Sequence, residues 1–343
     1  MWSCFRLPKD REKEEEEYRF FRRKAKEKHF LEGGLLLEEM IKSFDGRPNP
    51  IRSFSQKELQ RATNNYHHDG VLHQHWSYKL YKGTYEDRPI CVKKFPANAL
   101  WGYIMELYIN EVAVASQMSN HKNVLKLWGC CLETQVPTLV YEFAANGCLS
   151  NHIFAANVCL SDHISEEELS PSKKNSQLLS WESKLRIATE IADAVAYLHN
   201  GTSKPIIHRY INSGSIVLDQ HYVAKLFDLG FSVSIPLGET HVDANRMWNF
   251  PTTAPESAYT GRYSEKSDVY SFGVILYEIL TGKRILNAKD IRLFLKDNIV
   301  KGNTKQLTAC AELVVRCVDM NPEERPSMIE AAKELRRIRM IQQ

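Results

Sequence analysis

Short runs rich in β-branched and aromatic residues mark the chain between residues 78 and 143. Tyr78–Gly83, Pro89–Phe95, Leu125–Leu127 and Thr138–Phe143 read as strands. Between the second and third, apolar positions from about Ile104 to Met118 follow a helical period. Ahead of them, Ser55 and Glu58 have the spacing of a capping box, opening a short helix at Gln56–Thr63. From residue 148 onward the pattern is mainly helical, clearest at Leu178–Leu198, Asp268–Leu280 and Thr308–Val318. A strand-rich front with one long helix, then a helical rear, predicts an α+β chain. The folded part begins near Phe54. Upstream, Leu36, Leu37, Met40, Ile41 and Phe44 make an apolar face at helical spacing, stopped by Asp45-Gly46 and Pro48. That face is expected to dock on the folded domain, with a partner's handle as the alternative.

Charge and repetition refine the boundaries. Residues 9–28 are almost continuously charged, with Glu14 to Glu17 ahead of Arg19, Arg22, Arg23, Lys24, Lys26 and Lys28. This order suits a helix dipole, and Glu15 with Arg19 forms an i,i+4 pair. Both signs are present, so the run reads as a solvated helix or tail rather than a nucleic-acid arm. Residues 1–50 therefore form a charged and amphipathic extension, and 51–338 the folded domain. Phe143–Ile153 is followed at once by Phe154–Ile164, with nine of eleven positions identical, a tandem duplication. Asn157 and the polar tract Ser165–Gln177 favour a loop for the second copy.

With 343 residues the chain can bury a substantial core, and its net charge of +3 argues for neither nucleic acid nor a membrane. The eight cysteines show no C-x-x-C motif and no compact disulfide framework, so they read as reduced thiols of a cytoplasmic protein. The sequon Asn200-Gly201-Thr202 is then idle. No run approaches the ~18 apolar residues of a membrane span. The start, Met1-Trp2-Ser3-Cys4, lacks a secretory apolar region, and Trp2 excludes N-myristoylation. Acylation of Cys4 beside the basic segment is the alternative that would place the chain peripherally at the plasma membrane, though one acyl chain anchors only marginally.

The chemistry concentrates at His208–Asp219, which resembles the catalytic loop of a eukaryotic protein kinase, H-R-D-x-K-x-x-N followed by apolar residues. In the active pattern the Asp accepts the substrate hydroxyl proton, the Lys steadies the transferred phosphoryl group and the Asn holds a metal ion. Here those positions are Tyr210, Asn212 and Ser215, while His208, Arg209 and the apolar Ile216-Val217-Leu218 remain. A phenol with pKa about 10 is neutral at pH 7 and cannot replace a carboxylate base. The loop reads as that of a pseudokinase. Other motifs stand in the family's order between residues 54 and 338. Lys93 in Ile90-Cys91-Val92-Lys93 resembles the lysine that grips the α/β-phosphates, and Glu111 its helical glutamate partner. Asp228-Leu229-Gly230 is similar to D-F-G, keeping the metal-binding Asp, and Ala254-Pro255-Glu256 matches A-P-E. Asp268 and Arg325 match large-lobe anchors, with Glu256 and Arg325 expected to form a buried ion pair. The resemblance implies a bilobal fold: a small antiparallel β lobe at 54–142 with one helix, and a larger, mainly helical lobe at 148–338.

The phosphate loop departs furthest from the family. The glycine positions of G-x-G-x-x-G-x-V fall on His73, His75 and Tyr78, and only glycine lets that backbone close over phosphates. Histidines at 67, 68, 73 and 75 invite a metal reading, but no acidic or cysteine partners complete a site, so a decayed loop and no metal is expected. ATP and magnesium are not expected as resident cofactors. If any nucleotide is held, Lys93, Glu111 and Asp228 would hold it.

Asn123–Glu133 and Ser267–Gly273 resemble plant receptor-like kinases of the wall-associated type. Phe30–Gly34, Leu36–Glu39, Pro50–Ser55 and Ala62–Tyr66 are similar to the ZED-related (ZRK) group of receptor-like cytoplasmic pseudokinases. That resemblance implies an adaptor in plant immunity, seated on the leucine-rich repeats of a coiled-coil NLR receptor. It would recruit or mimic receptor-like cytoplasmic kinases that bacterial effectors modify. The alternatives are a weak or atypical serine/threonine kinase and a switch that binds ATP without transfer. Ser232, Ser234, Thr240, Thr252 and Thr253 are the hydroxyls of the segment between Asp228 and Glu256. They are expected to face solvent, with Thr252 and Thr253 as the alternative docking point for a modified kinase. Arg209 can pair with a phosphate placed there.

Overall fold

The computed structural model describes residues 51–341 except 76, 96–100, 135–137, 155–178, 248–250 and 286–304. The predicted N-terminal extension with Cys4, and the second copy of the duplication after Phe154, lie outside the described residues. The small lobe is a six-stranded sheet of β1 (Arg52–Ser53), β2 (Val71–Gln74), β3 (Lys79–Tyr85), β4 (Arg88–Lys94), β5 (Leu127–Cys131) and β6 (Thr138–Glu142), ordered β1-β5-β6-β4-β3-β2. Two helices join it, α1 (Gln56–Ala62) and α2 (Trp101–Gln117). Helix α1 starts where the capping box predicts. Ser55 Oγ accepts the Glu58 amide at 3.2 Å and Glu58 Oε2 accepts the Ser55 amide at 2.7 Å.

The small lobe is antiparallel as expected, apart from one short edge strand. β1 pairs parallel with β5, Arg52 opposite Gly129. Any Cβ at Gly129 would lie 2.0 Å from the Arg52 carbonyl oxygen, so only glycine admits the extra edge strand. The strand expected at Leu125–Leu127 begins instead at Leu127, and Val124 bridges to Leu226 in the large lobe.

The large lobe contains α3 (Leu149–Ile153), α4 (Trp181–Asn200), α5 (Pro255–Thr260), α6 (Glu265–Thr281), α7 (Lys305–Cys317) and α8 (Met328–Arg339). Helix α6 is buried from Ser267 through Ile279 without interruption. A helix covered on every side must stand at the centre of its lobe, and α4, α7 and α8 pack around it or one another. Short strands line the floor between the lobes: β7 (Gly147–Cys148), β9 (Ile216–Leu218) and β10 (Ala224–Leu226), with β8 (Ile206–Ile207) paired to β11 (Val233–Ser234). One buried apolar cluster runs through both lobes, from Tyr78 and Leu107 to Leu198 and Phe272. All six cysteines among the described residues are buried free thiols, as the composition implied.

Glu256 and Arg325 form the expected pair in bidentate form, at 2.7 and 2.9 Å. Its two ends differ: the Arg325 side chain is fully buried, whereas Glu256 keeps 28% of its exposure. Arg325 also donates to the carbonyls of Asp319 and Lys266. Removing the carboxylate strands a charge already committed to the interior. Glu256→Ala should therefore cost about 3 kcal/mol, the low end for breaking such a pair because the glutamate is partly solvated. An unchanged urea midpoint would show that backbone carbonyls alone satisfy Arg325.

Candidate functional site

The cleft between the lobes is organised by the Lys93 ammonium. Strand β4 carries Lys93, helix α2 carries Glu111, and Asp228 follows β10 into the large lobe. Lys93 Nζ lies 2.9 and 2.6 Å from the two Glu111 carboxylate oxygens and 2.6 Å from Asp228 Oδ1. An ammonium has three donors, so these contacts occupy all of them. The group is 1% exposed. Burial alone would push the Lys93 pKa down, but Asp228 and Glu111 outweigh it and hold the amine protonated. Burial raises the Glu111 pKa, Lys93 opposing it and Asp228 reinforcing it. Tyr141 Oη donates to Glu111 Oε1 at 2.6 Å, completing the helix-to-sheet connection.

Helix α2 sits close because of Gly230. A Cβ there would meet the Leu107 carbonyl at 2.9 Å. Asn110 Nδ2 then donates to the carbonyls of Gly230 and Ser232, at 2.8 and 2.7 Å. Asp228 itself adopts left-handed φ 66°, a conformation that persists only when its surroundings over-determine it.

Two of the three residues at the expected glycine positions close over this cluster. The Tyr78 ring lies 4.1 Å from Lys93 Nζ and stands edge-on to Phe227 at 5.8 Å. His75 Nε2 is 2.9 Å from Tyr210 Oη across the cleft. Burial drives the His75 pKa down to about 4, Lys93 and His73 adding to it and Asp228 opposing, so the ring is neutral at physiological pH. His73 belongs to β2, opposite Leu80, and burial lowers its pKa as well. The other two histidines gather elsewhere. His67 and His68 lie 3.2 and 3.0 Å from the Asp69 carboxylate, all three exposed. Asp69 is the acidic neighbour that the sequence reading overlooked. His67 Nδ1 also accepts the Asp69 amide, capping the turn ahead of β2.

The loop at His208–Asp219 is held from below. Asp268, fully buried on α6, accepts the His208 amide at 2.8 Å, the Arg209 amide at 3.0 Å and His199 Nε2 at 3.0 Å. Arg209 has φ 67°, and the two amide bonds to Asp268 hold that strained turn. Burial lowers the His208 pKa. Its Nδ1 accepts the Tyr210 amide, so Nε2 donates to the Phe227 carbonyl at 3.1 Å. Asn212 and Ser215 face each other. Asn212 Oδ1 accepts the amides of Gly214 and Ser215, and Ser215 Oγ bonds the Asn212 backbone on both sides. Both side chains serve the shape of the loop.

Arg209 donates to the carbonyls of Phe231 and Asn245 and stacks over the Tyr263 ring at 4.3 Å. It thus ties the start of the segment that follows Asp228 to Asn245, further along it. The hydroxyls of that segment do not share the expected exposure. Ser234 and Thr240 are exposed and Thr253 is half-buried, but Ser232 is 3% and Thr252 6% exposed. Thr252 packs against α6, its carbonyl accepting Ser271 Oγ at 2.7 Å, so it presents no surface to a partner. No helix among the described residues is long and apolar enough to cross a membrane.

The chain is similar in sequence to known proteins. The family model described as protein tyrosine and serine/threonine kinase matches residues 68–335. Serine/threonine-protein kinase ZRK1 of Arabidopsis thaliana is 36% identical, the match covering 92% of this chain and 93% of that protein. Non-functional pseudokinase ZED1, from the same plant, is 34% identical over 90% of this chain and 95% of its own length. Wall-associated receptor kinase-like 1 is 36% identical over 99% of this chain, which spans only 46% of that longer relative. With the family model covering most of the sequence and two relatives matching almost end to end, the chain belongs to the protein kinase family, on the branch that includes ZRK1 and the wall-associated receptor kinase-like proteins.

Proposed function

We propose that the protein is a catalytically inactive kinase-family member that acts as an adaptor in plant innate immune signalling. It would bridge a coiled-coil NLR receptor, through the receptor's leucine-rich repeats, to receptor-like cytoplasmic kinases modified by bacterial effectors. The observation that carries the inactive part is the state of the cleft. Lys93 spends its donors on Glu111 and Asp228 beneath Tyr78, while Tyr210 stands where the family places its base. ATP and magnesium do not fit this arrangement well: a phosphate would have to displace a carboxylate from Lys93 and an aromatic ring from above it. Loss of a general base alone typically forfeits ~10²–10⁴ in rate. Asn212 and Ser215, turned into the loop, supply neither charge nor a free metal ligand, and phosphoryl transfer depends on both. The adaptor part rests on the near full-length similarity to ZRK1 and to ZED1, the latter named a non-functional pseudokinase.

A second reading, a weak kinase or a nucleotide-binding switch, draws on Lys93, Glu111 and Asp228. The cleft brings these three together, and ZRK1 is named a kinase. Partner choice then falls to surfaces. Arg209, whose guanidinium already reaches this segment at Phe231 and Asn245, is the cation nearest to hand for a phosphate added to its exposed part.

Purified protein should incorporate no labelled phosphate into itself or a generic substrate. Incorporation that Lys93→Met abolishes would establish the second reading instead. Saturating ATP with magnesium should leave the melting temperature unchanged, because stabilisation by a ligand scales with its occupancy. A clear rise that disappears in Asp228→Ala would mean that the cleft opens to nucleotide. In plant cells, Thr253→Ala should weaken co-precipitation of a modified receptor-like cytoplasmic kinase and spare the NLR receptor. Equal recovery of both partners would remove the segment from recognition.

A further inference from the structure

The tyrosine at the base position makes a contact that a shorter acid there would not reach. Tyr210 is positioned from three sides. Its amide donates to His208 Nδ1 at 3.2 Å, its carbonyl accepts Asn212 Nδ2 at 2.9 Å, and its ring lies on Phe231 with centroids 4.5 Å apart. The hydroxyl is thereby fixed at the end of a rigid arm aimed into the small lobe. On the opposite side, His75 is equally constrained. Its amide donates to the Tyr78 carbonyl at 2.9 Å, closing the turn between β2 and β3, and its Nδ1 contacts Ser77 Oγ at 2.8 Å. Nδ1 also accepts the Ser77 amide, which assigns the ring proton to Nε2, the donor facing Tyr210 Oη. From there an aromatic path continues to Tyr78 at 4.8 Å, and from Tyr78 to Phe227, the residue before Asp228.

We propose that His75 and Tyr210 form an inter-lobe latch that holds the β2–β3 turn closed over Lys93 with the chain's own side chains. Tyr210 then has a gained role. The residue standing where the family places its base fastens the small lobe to the large one, and His75, at a glycine position of the phosphate loop, is its counterpart. The latch goes beyond the adaptor reading, since it concerns the coupling of the lobes whatever partner reads them. A carboxylate one carbon beyond the backbone is too short to make the same bridge from this loop.

The test is hydrogen exchange on the nucleotide-free full chain, comparing amides of Val71–Tyr81 with those of α6. Tyr210→Phe keeps the ring on Phe231 and removes only the hydroxyl. It should speed exchange of Val71–Tyr81 about ten-fold, the scale of one net hydrogen bond, and leave Glu265–Thr281 unchanged. His75→Ala also gives up its contacts with Ser77 and Tyr78, so it should speed exchange at least as much, and adding Tyr210→Phe to it should change nothing further, because the contact they share is already gone. Unchanged exchange in Tyr210→Phe, or effects that add in the double variant, would overturn the latch. Faster exchange that spreads into α6 would overturn it too, because a latch releases the turn alone. None of these outcomes depends on which partners co-precipitate, so the latch and the adaptor reading stand or fall separately.

Discussion

A single ammonium deep between the lobes sets the terms for everything around it. Lys93 reaches Glu111 on the small-lobe helix and Asp228 at the edge of the large lobe, so one side chain joins three elements that are distant in sequence. Two carboxyl groups converge on one buried cation, and such a cluster survives only when further hydrogen bonds support it. Tyr141 gives one more hydrogen bond to Glu111, and the faces of Tyr78 and Phe227 lie near the cation. The aromatic cover and the ion cluster are therefore one construction. Removing the rings would admit water to the charges, and removing the charges would leave rings packed over nothing.

In the proposed reading, this construction separates shape from chemistry. Helix α2 is held inward by Lys93 and by Asn110 on the backbone after Asp228. That placement arises from contacts between protein groups. A partner that recognises the closed outline of a kinase domain would meet it here as a fixed property of the fold.

Much of this was legible in the sequence, because the relevant residues announce themselves by local context. Lys93 lies within a strand-like run, Glu111 falls on a helical period, Asp228 stands two residues before a glycine, and motif order relates them. The capping box at Ser55 and the pair of Glu256 with Arg325 were legible for the same reason. What escaped was pairing with no local signature. His75 and Tyr210 are 135 residues apart and neither belongs to a pattern that implies the other. Strand β1 is two residues long, too short for alternation to show. Thr252 reads as a polar loop residue, and only the packing of α6 buries it. Asp69 stands next to two histidines in the chain, but only the tight turn at His68–Gly70 brings its carboxylate onto both rings.

The anchoring of the loop by Asp268 has a consequence for how such a chain can change over generations. The helix grips the backbone amides of His208 and Arg209, and neither grip depends on the side chain at position 210. The tip of the loop is therefore a socket whose insert can be exchanged while its walls stay put. An acid, a phenol or an amide can occupy it without loosening that grip, so a change at this position tries a new occupation for an old loop without first having to rebuild its anchor.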